Sequence, residues 1–541
     1  MHWAADWRVN GYQYPSMEDG LRFNKCFFVT VLLFAFIPVM LPAQTVLPKI
    51  FSDHMVLQRQ LPIPVWGKSA PGATVTVSLA DAQKATTADK DGKWRVELPA
   101  RPAGGPFTLT VTAGGKTISF KDVLLGDVWM ASGQSNMSMP MRPVPPYTMG
   151  VTDYEHEIAA ANELNVRFFV VPEEADFPEQ TEMHGDWLES KGAQVCNVSA
   201  VAYYFARKVN RDTGVPIAVI DASVGSTGLS AWVNIDVNRK AHPDAVAASE
   251  KLLQEHVAEV RDYERDRPDF DKRTEESIRN NCGPSGVTKE HTMPFPNFIF
   301  KPSGLYNAMI APFHQVPIKG VLWYQGDADS HWYAGYSDRM KELIDSWRAS
   351  WHQPDIPFYW VMLQNVTADE RFGRDYDPKN DFYPFLREQQ RIALSKISHG
   401  GMAVATDVGD PMFPHPRNKK AVGERLALIA LANDYGVKVV SSGPMLKSVS
   451  HGGDQLFLKF DTFGSPLRVN TGTVPGGFEI AGADGKYHPA MATVNGDTVT
   501  LSSPLVKDPR NARYGWKGNP YLSLYNAAGL PAPPFTTEPQ P

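Results

Sequence analysis

From about residue 123 onward, short apolar runs alternate with longer stretches whose apolar residues recur at helical spacing. The runs are of strand length and predict buried strands. They lie at residues 123–130, 216–221, 320–324, 358–362 and 401–405. The longer stretches predict helices at 201–209, at 336–351, at 386–394 and from Asn418 onward. Such alternation indicates a mostly parallel sheet covered by helices.

The two ends of the chain have a different pattern. Residues 46–122 contain short apolar runs, at 63–67, 74–78 and 107–111, and turn signals separate them. Short alternating runs broken by turns predict a small N-terminal β-sandwich. Residues 436–541 are again β-rich, with hairpin-like segments at 477–485 and 497–501. They predict a second β-sandwich unit.

A highly charged segment interrupts the α/β pattern between about residues 236 and 302. It has an apolar stripe, which predicts an amphipathic helical insertion. The stripe consists of Leu252, Leu253, His256, Val257, Val260 and Tyr263. Such an insertion either shapes a substrate cleft or forms a solvated surface helix, and the pattern does not decide between the two.

Residues 1–43 are predicted to be a leader. Arg22 and Lys25 precede an apolar run at 26–37, and the small residue Ala43 follows, which is the layout of a secretory signal peptide. We therefore expect cleavage near Ala43, export to the periplasm or the cell exterior, and no stable membrane span in the mature chain. A retained membrane anchor is the alternative. Met17 is a candidate for the true start.

Composition narrows the classes of protein. The chain has 541 residues, of which 43% are hydrophobic and 21% charged, as in soluble proteins of several domains. The net charge of −6, without a long basic run, argues against a nucleic-acid partner. The three cysteines are scattered and form no closely spaced Cys/His pattern, so no metal site is predicted. Cys196 and Cys282 would remain after export, where a disulfide is one option.

Two polar segments follow predicted strands. Ser132-Gly133 breaks the first run and leads to Ser135, at the kind of strand end where open α/β sheets place their sites. A serine nucleophile needs a base. His415 lies in a Pro-rich loop after the run at 401–405. Taken separately, these residues are better explained by an ordinary turn and by a surface histidine.

Three sequence blocks together resemble the sialate O-acetylesterase family of the SGNH hydrolases. Gly-Gln-Ser-Asn-Met at 133–137 matches the nucleophile block of that family. Trp-Tyr-Gln-Gly-Asp at 323–327 matches its Trp-Tyr-Gln-Gly-Glu block, with Asp for Glu. His-Pro-Arg-Asn-Lys at 415–419, with Val-Gly-Glu-Arg-Leu at 422–426, matches its histidine block. Further matches at 51–59 and 529–535 extend the resemblance over nearly the whole mature chain.

The resemblance implies an α/β fold, in which a flavodoxin-like, three-layer esterase domain at 123–435 lies between the two β-sandwich units. It also implies ester hydrolysis through a serine acyl-enzyme without a cofactor. Ser135 would be the nucleophile and His415 its base. The oxyanion donors would be the backbone N–H of Ser135, Gly225 and residue 329. Substrate-binding candidates are Gln134, Asn136 and Gln325.

Two positions depart from the pattern of the family. Asp329 stands where the family has an asparagine donor, and a carboxylate cannot donate a hydrogen bond unless it is protonated. Phe413 stands where many members have an aspartate two residues before the histidine. Asp410, which we favour, or Asp407 would then orient His415. A backbone carbonyl in their place would make the site a Ser-His dyad.

The predicted function is that of an exported carbohydrate O-acetylesterase, which removes acetyl groups from sialic acid or other glycans. Its partner is an acetylated sugar. The alternative is a catalytically weakened relative that binds acetylated glycans, and the two departures at Asp329 and Phe413 favour it.

Overall fold

The computed structural model describes residues 44–257, 261, 265, 301–367, 381–470, 472 and 474–540. The predicted leader, Cys282 and most of the predicted insertion, including Val260 and Tyr263, lie outside these residues. The described residues belong to one compact unit. Within them, no helix is both long enough and apolar enough to cross a membrane.

Six strands precede the central sheet. They are β1 (Val56–Gln58), β2 (Ile63–Lys68), β3 (Thr74–Leu79), β4 (Ala82–Thr87), β5 (Lys93–Leu98) and β6 (Gly104–Ala113). Strand β2 pairs with β5, whereas β3 pairs with β4 and β6. In β5 every second side chain is buried, because successive side chains of a strand point to opposite faces.

The next strand, β7 (Lys116–Gly133), is 18 residues long. Its first part pairs antiparallel with β6, and its middle pairs parallel with β1. From Val123 onward every residue is buried, as in a strand covered on both faces. The predicted domain boundary at residues 122–123 therefore falls inside one continuous strand, and a single hydrophobic core extends across it.

The last part of β7 lies in the middle of the central sheet. The other strands are β8 (Asn162–Val170), β9 (Asp186–Lys191), β10 (Ile217–Ser223), β11 (Gly320–Tyr324), β12 (Phe358–Met362) and β13 (Gly400–Val404). The order is β13-β12-β11-β7-β10-β8-β9, and only the β8–β9 pair is antiparallel. If β8 and β9 are left out, the remaining strands follow the order β10-β7-β11-β12-β13. This is the flavodoxin-like order 2-1-3-4-5. The predicted α/β class is confirmed.

Helices cover both faces of this sheet. In the described residues they are α1 (Ser135–Ser138), α2 (Tyr154–Ala159), α3 (Ala200–Thr213), α4 (Ile235–Ala241), α5 (Pro243–Glu255), α6 (Tyr336–Ser350), α7 (Tyr383–Lys396) and α8 (Lys419–Asp434). Phe358 packs on Trp347 of α6, whereas its neighbour Tyr359 packs on Trp129, which contacts Phe205 of α3. Because adjacent strand residues point to opposite faces, α3 and α6 lie on opposite sides of the sheet.

Antiparallel strands follow α8. They are β14 (Met445–Gly452), β15 (Gln455–Asp461), β16 (Leu467–Val469), β17 (Phe478–Ala481), β18 (Tyr487–Pro489), β19 (Met491–Asn495), β20 (Thr498–Ser502), β21 (Asn511–Tyr514), β22 (Leu524–Asn526) and β23 (Phe535–Thr536). Sheets β14-β15-β20-β19 and β18-β17-β21-β23 share a second hydrophobic core, which contains Leu458 and Ile480. That each end of the chain is a β-sandwich unit stays a prediction.

Candidate active site

Ser135 is the first residue of α1 and comes directly after the carboxyl end of β7, as predicted. The turn depends on Gly133, whose φ is 127°. A Cβ atom at this position would lie 2.3 Å from the carbonyl oxygen of Tyr324 in β11. Only glycine therefore allows β7 to bend this close to β11. The bend leaves Ser135 half-buried at the edge of the sheet.

The loop that contains Gly225 lies beside Ser135. A Cβ atom built on Gly225 would lie 3.6 Å from the Cβ of Ser135, so the loop after β10 packs directly against Ser135. Within the described part of the chain, the N–H groups of Ser135 and Gly225 donate to no protein acceptor. Preorganised donors of this kind stabilise the oxyanion that forms during acyl transfer.

Asp329 lies in a short helical turn after β11, Asp327–Trp332. Its Oδ2 accepts hydrogen bonds from the N–H of Leu229, at 2.9 Å, and from Nε2 of Gln325, at 2.6 Å. Burial raises the pKa of the Asp329 carboxyl, although these two hydrogen bonds oppose the shift. In these contacts Asp329 is an acceptor that connects the loop after β10 to the turn after β11. Its role as an oxyanion donor stays a prediction.

His415 lies in the loop between β13 and α8. Its Nδ1 is 2.8 Å from the carbonyl oxygen of Tyr147. A carbonyl can only accept, so this hydrogen bond requires the proton of a neutral imidazole to be on Nδ1. Nε2 is then the unprotonated nitrogen, which is the tautomer that a general base for a serine hydroxyl needs.

Asp407 and Asp410, the two carboxylates proposed to orient His415, have other partners. Asp407 forms a two-point ion pair with Arg425. Oδ1 of Asp410 accepts the N–H of Met412, 2.9 Å away, within its own turn. Among the described contacts, His415 is bonded to the Tyr147 carbonyl, as the dyad alternative requires, and Asp410 as its orienting group stays a prediction.

The three amide side chains predicted to bind substrate are buried and bonded to protein groups. Oε1 of Gln134 accepts the N–H groups of Gly326 and Ala328, at 3.1 and 3.2 Å. Gln325 accepts from Tyr336 through Oε1, at 2.7 Å. Asn136 donates to the carbonyl of Pro414, at 2.9 Å, and accepts from Lys419. These contacts hold the loops of the site together, and they give no support to substrate binding by the three amides.

A buried lysine that the sequence analysis did not single out connects the serine and histidine segments. Lys419 is the first residue of α8, is fully buried and donates to Oδ1 of Asn136. Because an ammonium group only donates, this contact fixes the Asn136 amide with its NH₂ toward Pro414, the residue before His415. The sequence feature that could have identified Lys419 as a site residue is the His-Pro-Arg-Asn-Lys block, which ends at this lysine.

The charge of Lys419 is compensated by Asp327. Burial lowers the pKa of Lys419 to about 7, and the carboxylate of Asp327 opposes this shift. Asp327 also accepts from Gln364, at 2.9 Å, and from the hydroxyl of Tyr383, at 2.7 Å. The electrostatic attraction between Lys419 and Asp327 and these hydrogen bonds together hold this part of the site in one arrangement.

One group of side chains among the described residues has the spacing of metal ligands, and it includes none of the candidate site residues. It consists of His54, Asp122 and Glu189. Arg167 donates to Asp122 at 3.0 Å and lies 3.6 Å from Glu189. A guanidinium therefore already supplies positive charge to both carboxylates.

Comparison with known proteins identifies the family. A family model described as carbohydrate esterase, sialic acid-specific acetylesterase, matches residues 296–427. Sialate O-acetylesterase of Mus musculus is 28% identical in an alignment 541 residues long. The alignment covers 90% of this chain and 93% of the mouse protein. The Homo sapiens protein of the same name is 27% identical in an alignment 531 residues long. The alignment covers 90% of this chain and 91% of the human protein.

A solved structure extends this similarity to the fold. The crystal structure of a carbohydrate acetylesterase from Xanthomonas citri is 33% identical in sequence and has a TM-score of 0.77. The match covers 92% of this chain and 100% of that protein. Sequence and fold agree over nearly the full length of both. The chain therefore belongs to the sialate O-acetylesterase family and is a carboxylic ester hydrolase.

Proposed function

We propose that this protein is an exported carbohydrate O-acetylesterase that works through a serine acyl-enzyme. The observation that carries the proposal is the position of Ser135 at the carboxyl end of β7, where the loop that contains Gly225 packs against it. The activities for which these relatives are named, sialate O-acetylesterase and carbohydrate acetylesterase, support an acetylated sugar as the substrate. Sialic acid and other glycans both fit this description.

The mechanism follows from the tautomer of His415. Nε2 takes the proton of the Ser135 hydroxyl while Oγ attacks the acetyl carbonyl carbon. The N–H groups of Ser135 and Gly225 stabilise the oxyanion, and the carbonyl of Tyr147 stabilises the imidazolium through Nδ1. The imidazolium then protonates the departing sugar oxygen. Water attacks the acetyl-enzyme by the same route and releases acetate.

Replacement of the nucleophile tests this function. Ser135→Ala should lower acetate release from an O-acetylated saccharide by on the order of a thousandfold or more, because the nucleophile is lost. Ser138→Ala is the matched control, since this serine lies in the same helical turn and its hydroxyl contacts the carbonyl of Ser135. Turnover that survives in Ser135→Ala would show that the nucleophile is misassigned.

The acceptor contacts of Asp329 keep one alternative open. If the wild-type protein releases no acetate but binds the acetylated saccharide, it is the catalytically weakened relative.

Export is the second part of the proposal. The basic, apolar and small residues at 22–43 support it. N-terminal sequencing of protein from the native host should find a mature chain that begins near Gln44. An intact leader in membrane-retained protein would identify a membrane anchor instead.

A further inference from the structure

Large apolar side chains are exposed on the segments that form the candidate site. Tyr147 is 55% exposed, Trp332 70%, Met412 37% and Phe413 39%. We call these four residues the apolar rim. Exposed apolar residues that are scattered singly need no explanation, whereas a group of them around a site indicates a binding surface.

Each rim residue is connected to a site residue through a short path. The carbonyl of Tyr147 accepts the Nδ1–H of His415, and Met412 and Phe413 precede His415 by three and two residues. Trp332 ends the helical turn that begins at Asp327. Oδ2 of Asp327 is 3.4 Å from Nδ2 of Asn136, the neighbour of Ser135.

These paths limit how far the rim residues can lie from the site. Five residues of 3₁₀-helix rise about 10 Å, so the backbone of Trp332 lies about that far from Asp327. The three segments that carry the rim are therefore held to residues of the candidate site, namely Asn136 and His415.

The chemistry of the rim suits a saccharide ring. A pyranose has apolar C–H faces and hydroxyl groups along its edge, so an aromatic face matches it and leaves the hydroxyls in water. Small-molecule sites are typically lined by apolar and aromatic side chains with few polar groups. Phe413 stands where many family members have an aspartate, and its ring is partly open to solvent. The histidine loop thus presents an aromatic ring at this position instead of a charge.

We propose that the apolar rim binds the saccharide ring of the acetylated substrate, and that Phe413 and Trp332 determine specificity for sugar esters over simple esters. The proposal rests on the proposed function, because the sugar must lie beside an ester at Ser135. Rim residues position the ring and take no part in proton transfer.

The test compares two classes of ester on the same variants. Phe413→Ala and Trp332→Ala are assayed with ethyl acetate, which has no ring, and with O-acetylated xylo-oligosaccharides and O-acetylated sialic acid. For the saccharide that the wild type hydrolyses faster, kcat/KM should fall about tenfold, which corresponds to 1.4 kcal/mol, mainly through KM. Hydrolysis of ethyl acetate should stay within about twofold of wild type.

Matched variants separate ring contact from general damage. Phe463→Ala removes another exposed phenylalanine, from the loop after β15, and should affect neither ester. Phe413→Tyr keeps the ring and should retain most of the activity on the saccharide, whereas Phe413→Leu should lose it. Equal losses on both esters, or no loss on the saccharide, would overturn the rim proposal. A wild-type enzyme that hydrolyses ethyl acetate but neither saccharide would overturn it too, whereas one that hydrolyses none of the three esters would overturn the proposed function.

Discussion

At the scale of the residue, Asp329 joins two loops through a single carboxylate oxygen. Both of its hydrogen bonds, from the N–H of Leu229 and from Gln325, end on Oδ2. An asparagine in this place can put its amide oxygen at the Oδ2 position and keep both bonds. Its NH₂ group would then replace Oδ1 and restore the donor type that the family has there.

We expect Asp329→Asn to raise the turnover of ethyl acetate or to leave it unchanged. Each oxyanion donor is typically worth about a hundredfold to a thousandfold in turnover, so even an imperfectly placed amide should help. Asp329→Ala is the comparison, because it removes the acceptor and should lower turnover by loosening both loops. A tenfold drop in Asp329→Asn would show that the carboxylate has a role of its own.

The same substitution should change how stability depends on pH. Burial raises the pKa of Asp329, so the folded state keeps the proton to a higher pH than the unfolded state. The free energy of unfolding therefore falls as pH rises from about 3.9, the ordinary value, through the raised pKa. Asp329→Asn lacks this ionisation. Its stability relative to wild type should increase between pH 4 and 8 in urea unfolding, and a constant difference would contradict the assignment.

At the scale of the element, the site is assembled by loops at the carboxyl ends of β7, β10, β11 and β13. Parallel strands place these ends at one edge of the sheet, so residues far apart in sequence meet there. The start of α8 contributes Lys419 to the same place. Asn418 caps this helix by accepting the N–H of Ala421, at 3.2 Å, which sets where the helix begins.

The histidine loop gives a prediction at this scale. Asp410→Asn should change turnover of ethyl acetate by less than about threefold, because the Tyr147 carbonyl orients His415 and an asparagine can still accept the N–H of Met412. Asp407→Asn should act on stability instead. It breaks a largely buried ion pair with Arg425 and should lower the free energy of unfolding by about 3 kcal/mol.

Kinetics and urea unfolding of the two variants separate these effects. An aspartate that orients a catalytic histidine is worth about ten-thousandfold in turnover. A loss of that size in Asp410→Asn would show that the carboxylate, and not the Tyr147 carbonyl, orients His415.

At the scale of the whole molecule, one buried arginine connects the central sheet to the C-terminal strands. The guanidinium of Arg387 in α7 donates to the carbonyls of Leu363 and Gln364, directly after β12. It also donates to the carbonyls of Lys517 and Gly518, between β21 and β22, at 2.8 and 2.7 Å. Four backbone acceptors from two regions thus share one side chain.

Arg387→Met should therefore destabilise the protein. The variant leaves the carbonyls of Gln364 and Lys517 without their donor, whereas those of Leu363 and Gly518 still accept from Thr406 and Val366. It should lower the free energy of unfolding by about 2–4 kcal/mol. Lys396→Met is the control on the same helix. Its ion pair with Asp338 is partly exposed, so the expected change is below about 1 kcal/mol. Equal urea midpoints for the two variants would contradict this role of Arg387.

The sequence by itself determined the local elements and the family. The predicted runs at 320–324 and 358–362 coincide with β11 and β12, because a strand buried between helices needs a continuous apolar run. The three blocks led to the family that the comparisons confirm. The strand predicted at 123–130 did not include the first part of β7. That part is partly exposed, whereas the rest of the same strand is fully buried, so the two parts have different sequence patterns.

Only the tertiary structure decided which polar groups meet. The carbonyl that contacts His415 is 268 residues away in the sequence, and a backbone carbonyl carries no residue-specific signal. The contact of Lys419 with Asn136 likewise joins positions 283 residues apart. Apolar periodicity reports which side chains are buried by their own element, whereas the partner of a polar group depends on which loops the strand order brings together.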